Sequence, residues 1–316
     1  MHKNTITFSG QHTSSFNFEF ARAHYNIYPW IAREKDLCRV ARTPDGAPVL
    51  AVIHETAHKN IVVNLLSETG LKRDSTRFFR NAFSRALGLD DDYEPLARFA
   101  RKDSVLKAAL HANKGIRPKR YMALFESVCG AICAQNVDFR RLYGMMKNIA
   151  VSYGPALTVE SEVYHAFPLA KEVADTNLEA MRACKVGYRA KLILGGAQWM
   201  AKNEEGLGRE ELQTRPVQEA IDMLCAIPGV GPYSAAIILN AYVGRSDMFH
   251  LDSFTRHILI QMYFNGQHAD DNTLQEFVLQ KWGAHAGYVA HVLTTNTHEW
   301  ASSLGFEGFR KSGAKA

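Results

Sequence analysis

The segment 224–236, Leu-Cys-Ala-Ile-Pro-Gly-Val-Gly-Pro-Tyr-Ser-Ala-Ala, combines residue types that suit anion binding. It follows one helical pattern and opens another, so we expect two helices joined by a short hairpin. Gly229 and Gly231 permit a tight turn with positive φ, and Pro232 falls in the first turn of the second helix. Free backbone N–H groups at that positive helix end predict a site that grips one phosphate without reading sequence. A plain helix–helix turn is the alternative, but the full pattern argues against it.

A carboxylate, Asp252, stands immediately before another helical pattern. In this position it is expected to cap the helix by accepting a backbone N–H bond. Such a bond would also fix the direction of the carboxylate, so capping and chemistry can share the residue. Because a carboxylate is ionised at neutral pH, Asp252 suits the stabilisation of a positive charge that develops close to it.

Together these residues closely resemble the helix-hairpin-helix (HhH-GPD) DNA glycosylases, and the resemblance covers most of the chain. Residues 227–231 match the hairpin, and Asp252 matches the aspartate at the expected distance. Residues 133–145 resemble the loop that these enzymes push into the duplex. The segment that runs from 164–168 to 187–191 is similar to the 8-oxoguanine glycosylase branch. A β-rich N-terminal domain is shared by that branch and the alkylpurine (3-methyladenine) glycosylases.

The resemblance implies DNA-binding roles for five matching side chains. Asn136, with Gln135 beside it, would fill the gap left by the flipped nucleotide. Arg141 and Arg189 would hydrogen-bond the base opposite that gap, and Tyr188 would wedge against it. A helix-capping asparagine and solvated surface arginines are the alternative interpretations.

The resemblance also assigns roles to the backbone of the hairpin. Gly229, Val230 and Gly231 would contact the DNA phosphate. The carbonyl oxygens of Cys225, Ile227 and Val230 would hold a structural monovalent cation, K⁺ or Na⁺, that helps the hairpin grip it. No other cofactor is implied.

The sequence departs from the 8-oxoguanine branch at its catalytic lysine, two residues beyond the last hairpin glycine. This chain has Tyr233 there, and a phenol cannot form a Schiff base, so we expect no β-lyase step. An aromatic residue at this position is typical of the alkylpurine branch, where it can stack on a cationic base. Tyr288 is a second candidate for base contact. Ala290 and Thr294 stand where the 8-oxoguanine branch has a glutamine and a phenylalanine.

The resemblance therefore implies a monofunctional DNA glycosylase of base excision repair. It would hydrolyse the N-glycosidic bond of a damaged, alkylated purine in double-stranded DNA, after extruding the base. Asp252 would be catalytic, because bond breaking builds positive charge on the sugar. Two alternatives remain open: an 8-oxoguanine DNA glycosylase without the lyase lysine, and a non-catalytic hairpin protein that binds DNA or senses damage.

Two kinds of element must position these residues. Residues 1 to about 70 predict strands. Residues 16–20 alternate with a period of two, the runs 37–42 and 49–53 flank a turn signal at 44–46, and 61–66 is a further β-rich run; together they predict an antiparallel sheet of about 4–6 strands. From residue 74 the pattern is helical. Strands followed by helices predict an α+β fold. We expect an antiparallel β domain with one helix at 1–95 and an all-α glycosylase domain with two helical lobes at 96–316.

Charge is concentrated in one part of the chain. The net charge is +5, but the segment 98–147 holds eleven Lys and Arg against three acidic residues, a local charge of +8. A second basic group comprises Arg182, Lys185, Arg189 and Lys191. A solvated face is the ordinary explanation, but the neighbouring glycines and aromatics favour a surface that binds phosphates and stacks bases.

Composition excludes several other classes. The chain has 316 residues, 47% of them hydrophobic, which is typical of a globular protein with a sizeable core. Its lack of a long apolar run predicts no membrane span, and its polar N-terminus predicts no secretory signal. Cys225 is the last of five cysteines, which excludes a C-terminal iron–sulfur cluster and favours buried free thiols. We expect a monomer, located in the cytoplasm or nucleoid.

Overall fold

The computed structural model describes residues 1–10, 13, 15–203 and 206–309. Its N-terminal part is a five-stranded antiparallel sheet. The strand order is β1-β5-β4-β3-β2, so neighbours in the chain are mostly neighbours in the sheet. The strands are β1 His2–Phe8, β2 Trp30–Ala32, β3 Leu37–Arg42, β4 Pro48–Glu55 and β5 Ile61–Ser67.

Burial of apolar side chains on one face explains this sheet. Along β5 the residues alternate between buried and partly exposed, and Val63 lies opposite Ile53 of β4. The buried face packs against Phe79 and Phe83 of the helix α2, Arg73–Ala86. Burial of these apolar side chains stabilises the sheet, because an antiparallel sheet needs one covered face.

The prediction of a strand at 16–20 is wrong. A short helix, α1, forms at Phe18–Ala23, and the side chain of Asn17 caps it by accepting the N–H of Phe20 at 3.0 Å. Phe16 and Phe18 are still buried in the core of the sheet. The alternating phenylalanines are therefore buried, but the N-cap at Asn17 favours a helical backbone over a strand.

Helices make up most of the remaining chain. They are α3 Glu94–Ala100, α4 Ser104–Ala112, α5 Leu124–Cys133, α6 Phe139–Tyr153, α7 Ala170–Ala174, α8 Leu178–Ala183, α9 Arg189–Lys202, α10 Arg209–Thr214, α11 Val217–Cys225, α12 Pro232–Ile238, α13 Ser253–Tyr263, α14 Asp271–Trp282, α15 Ala286–Thr294 and α16 Thr297–Ser303. A π-helix at Leu239–Val243 continues α12, and a 3₁₀ helix at Gly283–His285 precedes α15. The α+β fold class is confirmed.

The helical part has two separate hydrophobic cores. One includes Val128 of α5 and Ala235 of α12, and the other includes Ile258 of α13 and Trp300 of α16. Asp252 lies just before α13, where the chain passes from the first core into the second. Trp282 and Trp300 belong to the second core.

The structure differs from the expected domain division in two details. The region 96–316 is not all-α, because the strands β6 Ala156–Val159 and β7 Glu162–His165 form a two-stranded sheet. The N-terminal region holds the helices α1 and α2 rather than one helix, and α3 crosses the boundary at residue 95. In the turn between β6 and β7, Glu160 and Ser161 adopt positive φ. Glu and Ser rarely adopt positive φ, so their residue types do not predict this turn.

Two further features of this fold concern its cysteines and the apolar character of its helices. All five cysteines are free thiols, and four of them are buried, as predicted. In the part of the chain that the structure describes, no helix has the length and apolar character needed to cross a membrane.

Candidate active site

The hairpin joins α11 to α12 as predicted, but only one of its two glycines needs to be glycine for its backbone conformation. Gly229 has a φ of +88°, and a Cβ there would lie 2.8 Å from the Cβ of Leu192. Gly231 has a φ of −97°, so the expectation of positive φ at this residue is wrong. Gly231 caps α12 instead, and Pro232 occupies the first helical position, where its missing N–H costs nothing.

The backbone groups of the hairpin are partly used within the turn. The N–H of Val230 donates to the carbonyl of Ile227 at 3.0 Å, so this N–H is not free for a phosphate. Gly231 and Pro232 are exposed at the start of α12, where the helix presents its positive end. The carbonyl of Ile227 keeps a second lone pair, and carbonyl oxygens are hard donors that suit a monovalent cation.

Asp252 caps α13, as predicted. Its Oδ1 accepts the N–H of Thr255 at 2.6 Å, and the residue is only partly exposed. Its other oxygen accepts no hydrogen bond from the described part of the chain. The helix terminus therefore fixes one edge of the carboxylate and leaves the other available.

Two aromatic side chains lie within the electrostatic reach of Asp252. The rings of Tyr233 and His250 meet edge to face, with centroids 5.3 Å apart. Burial and the charge of Asp252 raise the pKa of Tyr233, so its phenol is neutral. Burial lowers the pKa of His250, and the charge of Asp252 opposes this only in part. The hairpin's tyrosine and the candidate catalytic carboxylate thus form one site.

The loop 134–138 between α5 and α6 has an exposed tip. Asn136 is exposed and adopts a φ of +53°, the left-handed region that asparagine tolerates. The following helix is capped by Asp138, whose side chain accepts the N–H of Arg141 at 2.7 Å. The interpretation of Asn136 as a helix cap is therefore wrong, and its side chain is available for another role.

Arg189 lies beneath this loop and is not on the surface. Only 4% of it is exposed, its Nε donates to the carbonyl of Ile132 at 3.2 Å, and its Nη2 donates to the carbonyl of Gln135. Tyr188, 63% exposed, lies under its guanidinium at 4.5 Å. Arg141 is exposed, as a DNA-contacting residue must be. The geometry makes Arg189 a clamp on the loop rather than a free donor.

A cavity of about 330 Å³ adjoins both the loop and the helix that begins at Pro232. We call it the loop cavity. Its volume is at the small end of the usual range for ligand pockets, about 300–1,000 Å³. It is lined by Tyr25, Ile27, Trp30, Lys119, Arg120, Tyr121, Gly130, Ala131, Ala134, Val137, Phe139, Leu142, Ile237 and Ala241.

The loop cavity contains residues that the sequence analysis did not single out. Tyr25 and Phe139 meet edge to face at 5.3 Å, and Lys119 lies on the wall. Lys119 entered the sequence analysis only as one of eleven basic residues. No local sequence signal separates Lys119 from its basic neighbours Arg117 and Arg120, and only the folded chain places it on the cavity wall.

Tyr288 does not line the loop cavity. It is buried and stacks on Tyr93 with ring centroids 5.0 Å apart, while its hydroxyl accepts a bond from Arg120 at 3.3 Å. The interpretation of Tyr288 as a base-contacting residue is not supported by this geometry. Tyr233 is 46% exposed and also lies outside the lining of the cavity.

The basic residues of the segment 98–147 fall into two sets, one buried or stacked and the other exposed. Arg120 is buried in an ion pair with Asp91 at 2.7 Å, and Arg117 stacks on Tyr93 at 3.8 Å. Eight residues are exposed: Arg98, Arg101, Lys102, Lys107, Lys114, Arg140, Arg141 and Lys147. Three of these eight follow the loop on α6, and the other five lie on or next to α3 and α4.

Comparison with curated proteins finds relatives that are DNA glycosylases. The chain is 26% identical over 204 residues to a DNA-3-methyladenine glycosylase of Bacillus subtilis, a match that covers 63% of this chain and 67% of that protein. It is 26% identical over 207 residues to a probable N-glycosylase/DNA lyase of Methanothermobacter thermautotrophicus, covering 60% and 65%. It is 31% identical over 143 residues to an Arabidopsis thaliana N-glycosylase/DNA lyase, covering 44% and 39%. No protein-family profile matches the chain.

Solved structures share the whole fold. A 3-methyladenine DNA glycosylase from Archaeoglobus fulgidus superposes with a TM-score of 0.76 at 22% identity, covering 93% of this chain and 98% of that one. The 8-oxoguanine glycosylase/lyase of Clostridium acetobutylicum, in complex with double-stranded DNA, gives a TM-score of 0.67 at 18% identity, covering 87% and 97%. The resemblance to the helix-hairpin-helix DNA glycosylases is confirmed, because sequence relatives and structural neighbours alike are DNA glycosylases.

Proposed function

Because its relatives and structural neighbours are DNA glycosylases, we propose that this chain hydrolyses the N-glycosidic bond of a damaged purine in double-stranded DNA. The observation that carries the proposal is the geometry of Asp252. One carboxylate oxygen is fixed at 2.6 Å from the N–H of Thr255, and the other is available beside the hairpin. Both alkylated and oxidised bases remain within the proposal, because the relatives are named for both kinds of enzyme.

The chemistry follows from the charge of Asp252. Departure of the base leaves positive charge on C1′ and the ring oxygen of the sugar. A carboxylate that is already fixed in place stabilises that charge without having to reorganise. Such pre-organised electrostatic stabilisation accounts for the larger share of the rate enhancement of many enzymes. Asp252 can also orient the water that attacks C1′, and take its proton as the base leaves.

The reaction is proposed to be monofunctional. Tyr233 stands where a lysine would attack the sugar, and its phenol is held neutral by burial and by the charge of Asp252. A phenol cannot form a Schiff base. The amine of Lys119 is engaged with two backbone carbonyls, those of Ala21 and His24. Because an aromatic side chain at position 233 can stack on a cationic base, we propose an alkylated purine as the preferred substrate and 8-oxoguanine as the second candidate.

DNA binding is proposed to involve one contact at the hairpin and another at the loop 134–138. The exposed start of α12 binds one DNA phosphate through backbone N–H groups. Carbonyl oxygens of Cys225, Ile227 and Val230 hold K⁺ or Na⁺ there, which adds positive charge near the phosphate. Asn136 enters the duplex from its exposed position at the tip of the loop, with Gln135 and Tyr188 beside it.

The test is the variant Asp252→Asn. We expect base release to fall at least about 100-fold while the affinity for undamaged duplex changes less than about twofold, since only the transition state needs the charge. Asparagine still caps a helix, so the fold should be retained. Release of free base is measured by chromatography on duplexes that carry 3-methyladenine, 8-oxoguanine, hypoxanthine or uracil.

The matched control is Asp270→Asn, because Asp270 caps α14 with the same geometry, 2.8 Å from the N–H of Thr273, on an exposed surface. It should release bases at the normal rate. Failure of the unaltered protein to release any lesion favours the non-catalytic alternative. A stable adduct with substrate DNA after borohydride treatment would contradict the monofunctional proposal.

A further inference from the structure

A second cavity, of about 310 Å³, lies between β3, α2 and the start of α5. We call it the arginine cavity, because Arg39, Arg42, Arg85 and Arg209 line it. It is separate from the proposed contacts with DNA, since α5 leads away from it toward the loop 134–138. The ten residues of α5 place the two ends of the helix about 15 Å apart.

Two of the four arginines are matched by carboxylates, and two are not. Arg39 pairs with Glu126, the one acidic residue of the described lining, at 2.7 Å. Arg42 pairs with a carboxylate of α7 at 2.6 Å. Arg85 and Arg209 form no ion pair with any residue that the structure describes. The wall of the arginine cavity therefore carries two positive charges that no described carboxylate balances.

Arg209 is held on this wall by neutral groups of the described chain. Its guanidinium lies 4.0 Å from the ring centre of Tyr242 and donates to the carbonyl oxygens of Tyr242, Met122 and Tyr121. Burial and the like charge of Arg85 lower the pKa of Arg209, so the two cations are close enough to repel each other. A desolvated cation without a counter-charge costs free energy, which a bound anion would offset.

The cavity wall also holds hydrogen-bond donors that lack acceptors. Only 1% of Arg39 is exposed, and its Nη2 donates to both carboxylate oxygens of Glu126. Its Nη1 has no hydrogen-bond partner among the described residues. The helix α5 begins beside it after Ala123, whose side chain cannot cap a helix, so the first N–H groups of α5 lack a side-chain cap. Because buried donors without partners are costly, an oxyanion would satisfy both kinds of donor.

We propose that the arginine cavity binds a phosphate group, either of inorganic phosphate or of a mononucleotide. Phosphate oxygens match the planar fork of a guanidinium, and a dianion balances the charges of Arg85 and Arg209. The volume of the cavity is at the small end of the range for ligand pockets, which suits an ion or a single nucleotide. Phe78, 40% exposed, belongs to the lining and provides a ring on which a nucleobase can stack. The proposed catalysis at Asp252 does not depend on this site.

The experiment is isothermal titration calorimetry of the full chain with sodium phosphate, at an ionic strength held constant with sodium chloride. We expect one phosphate to bind per chain. Arg85→Gln and Arg209→Met should each weaken this binding at least about tenfold, because each removes charge-assisted hydrogen bonds to the anion. The matched control is Arg77→Gln, which removes a charge from the same helix as Arg85 at a side chain that is 76% exposed. It should bind phosphate like the unaltered protein.

A second titration, with deoxyadenosine monophosphate, distinguishes the two sources of the phosphate group. Binding at least about tenfold tighter than that of inorganic phosphate identifies a mononucleotide, since stacking of a base adds to the phosphate contacts. Equal affinity identifies phosphate itself, and both results support the site.

Three results would overturn the proposal. The first is the absence of saturable phosphate binding, and the second is unchanged binding in Arg85→Gln, whose exposed side chain can be replaced without disturbing the core. The third is displacement of phosphate by an undamaged duplex together with weaker duplex binding in Arg85→Gln, which would make the cavity part of the DNA interface. None of these results bears on base release, so the proposed function is tested separately by Asp252→Asn.

Discussion

At the residue scale, one side chain can cap a helix and still leave an oxygen available for a reaction. Asp252 caps α13 with one oxygen, which is why its other oxygen has a defined direction. The sequence predicted the cap, because an aspartate before a helical pattern has a known geometry, and the catalytic role stays a proposal. Arg189 shows the reverse case. Its type and position predicted a contact with DNA, but burial under the loop gives it a structural task.

The role of Arg189 leads to a prediction about opposite-base dependence. Arg189→Met removes the bonds to the carbonyls of Ile132 and Gln135, and should lower the free energy of unfolding by about 2 kcal/mol. Because the loop then loosens, base release should fall by a similar factor opposite all four bases. Urea unfolding and release assays on four matched duplexes check this. A defect confined to one opposite base would instead mean that Arg189 reads that base.

At the element scale, one buried ion pair joins the sheet to the helix that leads to the loop. Arg39 of β3 donates to both carboxylate oxygens of Glu126 on α5, at 2.7 and 2.8 Å, and both side chains are almost fully buried. The guanidinium also lies 4.7 Å from the ring centre of Trp30 on β2. This pair fixes the position of α5 against the N-terminal sheet, and α5 ends at the loop 134–138.

Breaking this pair should be more harmful than replacing it. Arg39→Met leaves the Glu126 carboxylate buried without a charged partner, and should lower the free energy of unfolding by about 3–5 kcal/mol. The double variant Arg39→Met, Glu126→Leu should lose less than Arg39→Met alone, because no charge is then stranded. Urea unfolding of the two single variants and the double variant measures the coupling. Additive losses would mean that the pair does not act as a unit.

The elements also show how far local patterns predict this fold. β-rich runs and a turn signal predicted the sheet from β3 to β5, and the hairpin motif predicted the junction of α11 and α12. Residues 16–20 alternate equally well but form a helix, because Asn17 caps it and the phenylalanines are buried either way. The loop cavity was not predictable, since it joins Tyr25 with Ile237, residues that only the folded chain brings together.

At the scale of the whole molecule, the positive charge available to a DNA partner is set by the exposed basic side chains, and not by every Lys and Arg in the sequence. The +8 of the segment 98–147 included Arg117, Lys119 and Arg120, which are stacked, bound or paired. The exposed remainder falls into one group after the loop and another around α3 and α4. The second group lies on helices that pack on the second core, together with α15 and α16. The proposed site predicts that only the group beside Asn136 meets DNA.

The salt dependence of DNA binding distinguishes the two groups. Removal of one cation that binds a phosphate should reduce the slope of log affinity against log salt by about 0.9. The double variant Arg140→Gln, Arg141→Gln should therefore reduce the slope by about 2, since both side chains are exposed at the start of α6. The matched variant Arg98→Gln, Arg101→Gln removes two exposed charges beside α3 and should leave the slope unchanged. Fluorescence anisotropy with an undamaged duplex at four salt concentrations gives both slopes. Equal reductions in the two variants would mean that the DNA path extends over α3, and a reduction only in the second would place the interface away from Asn136.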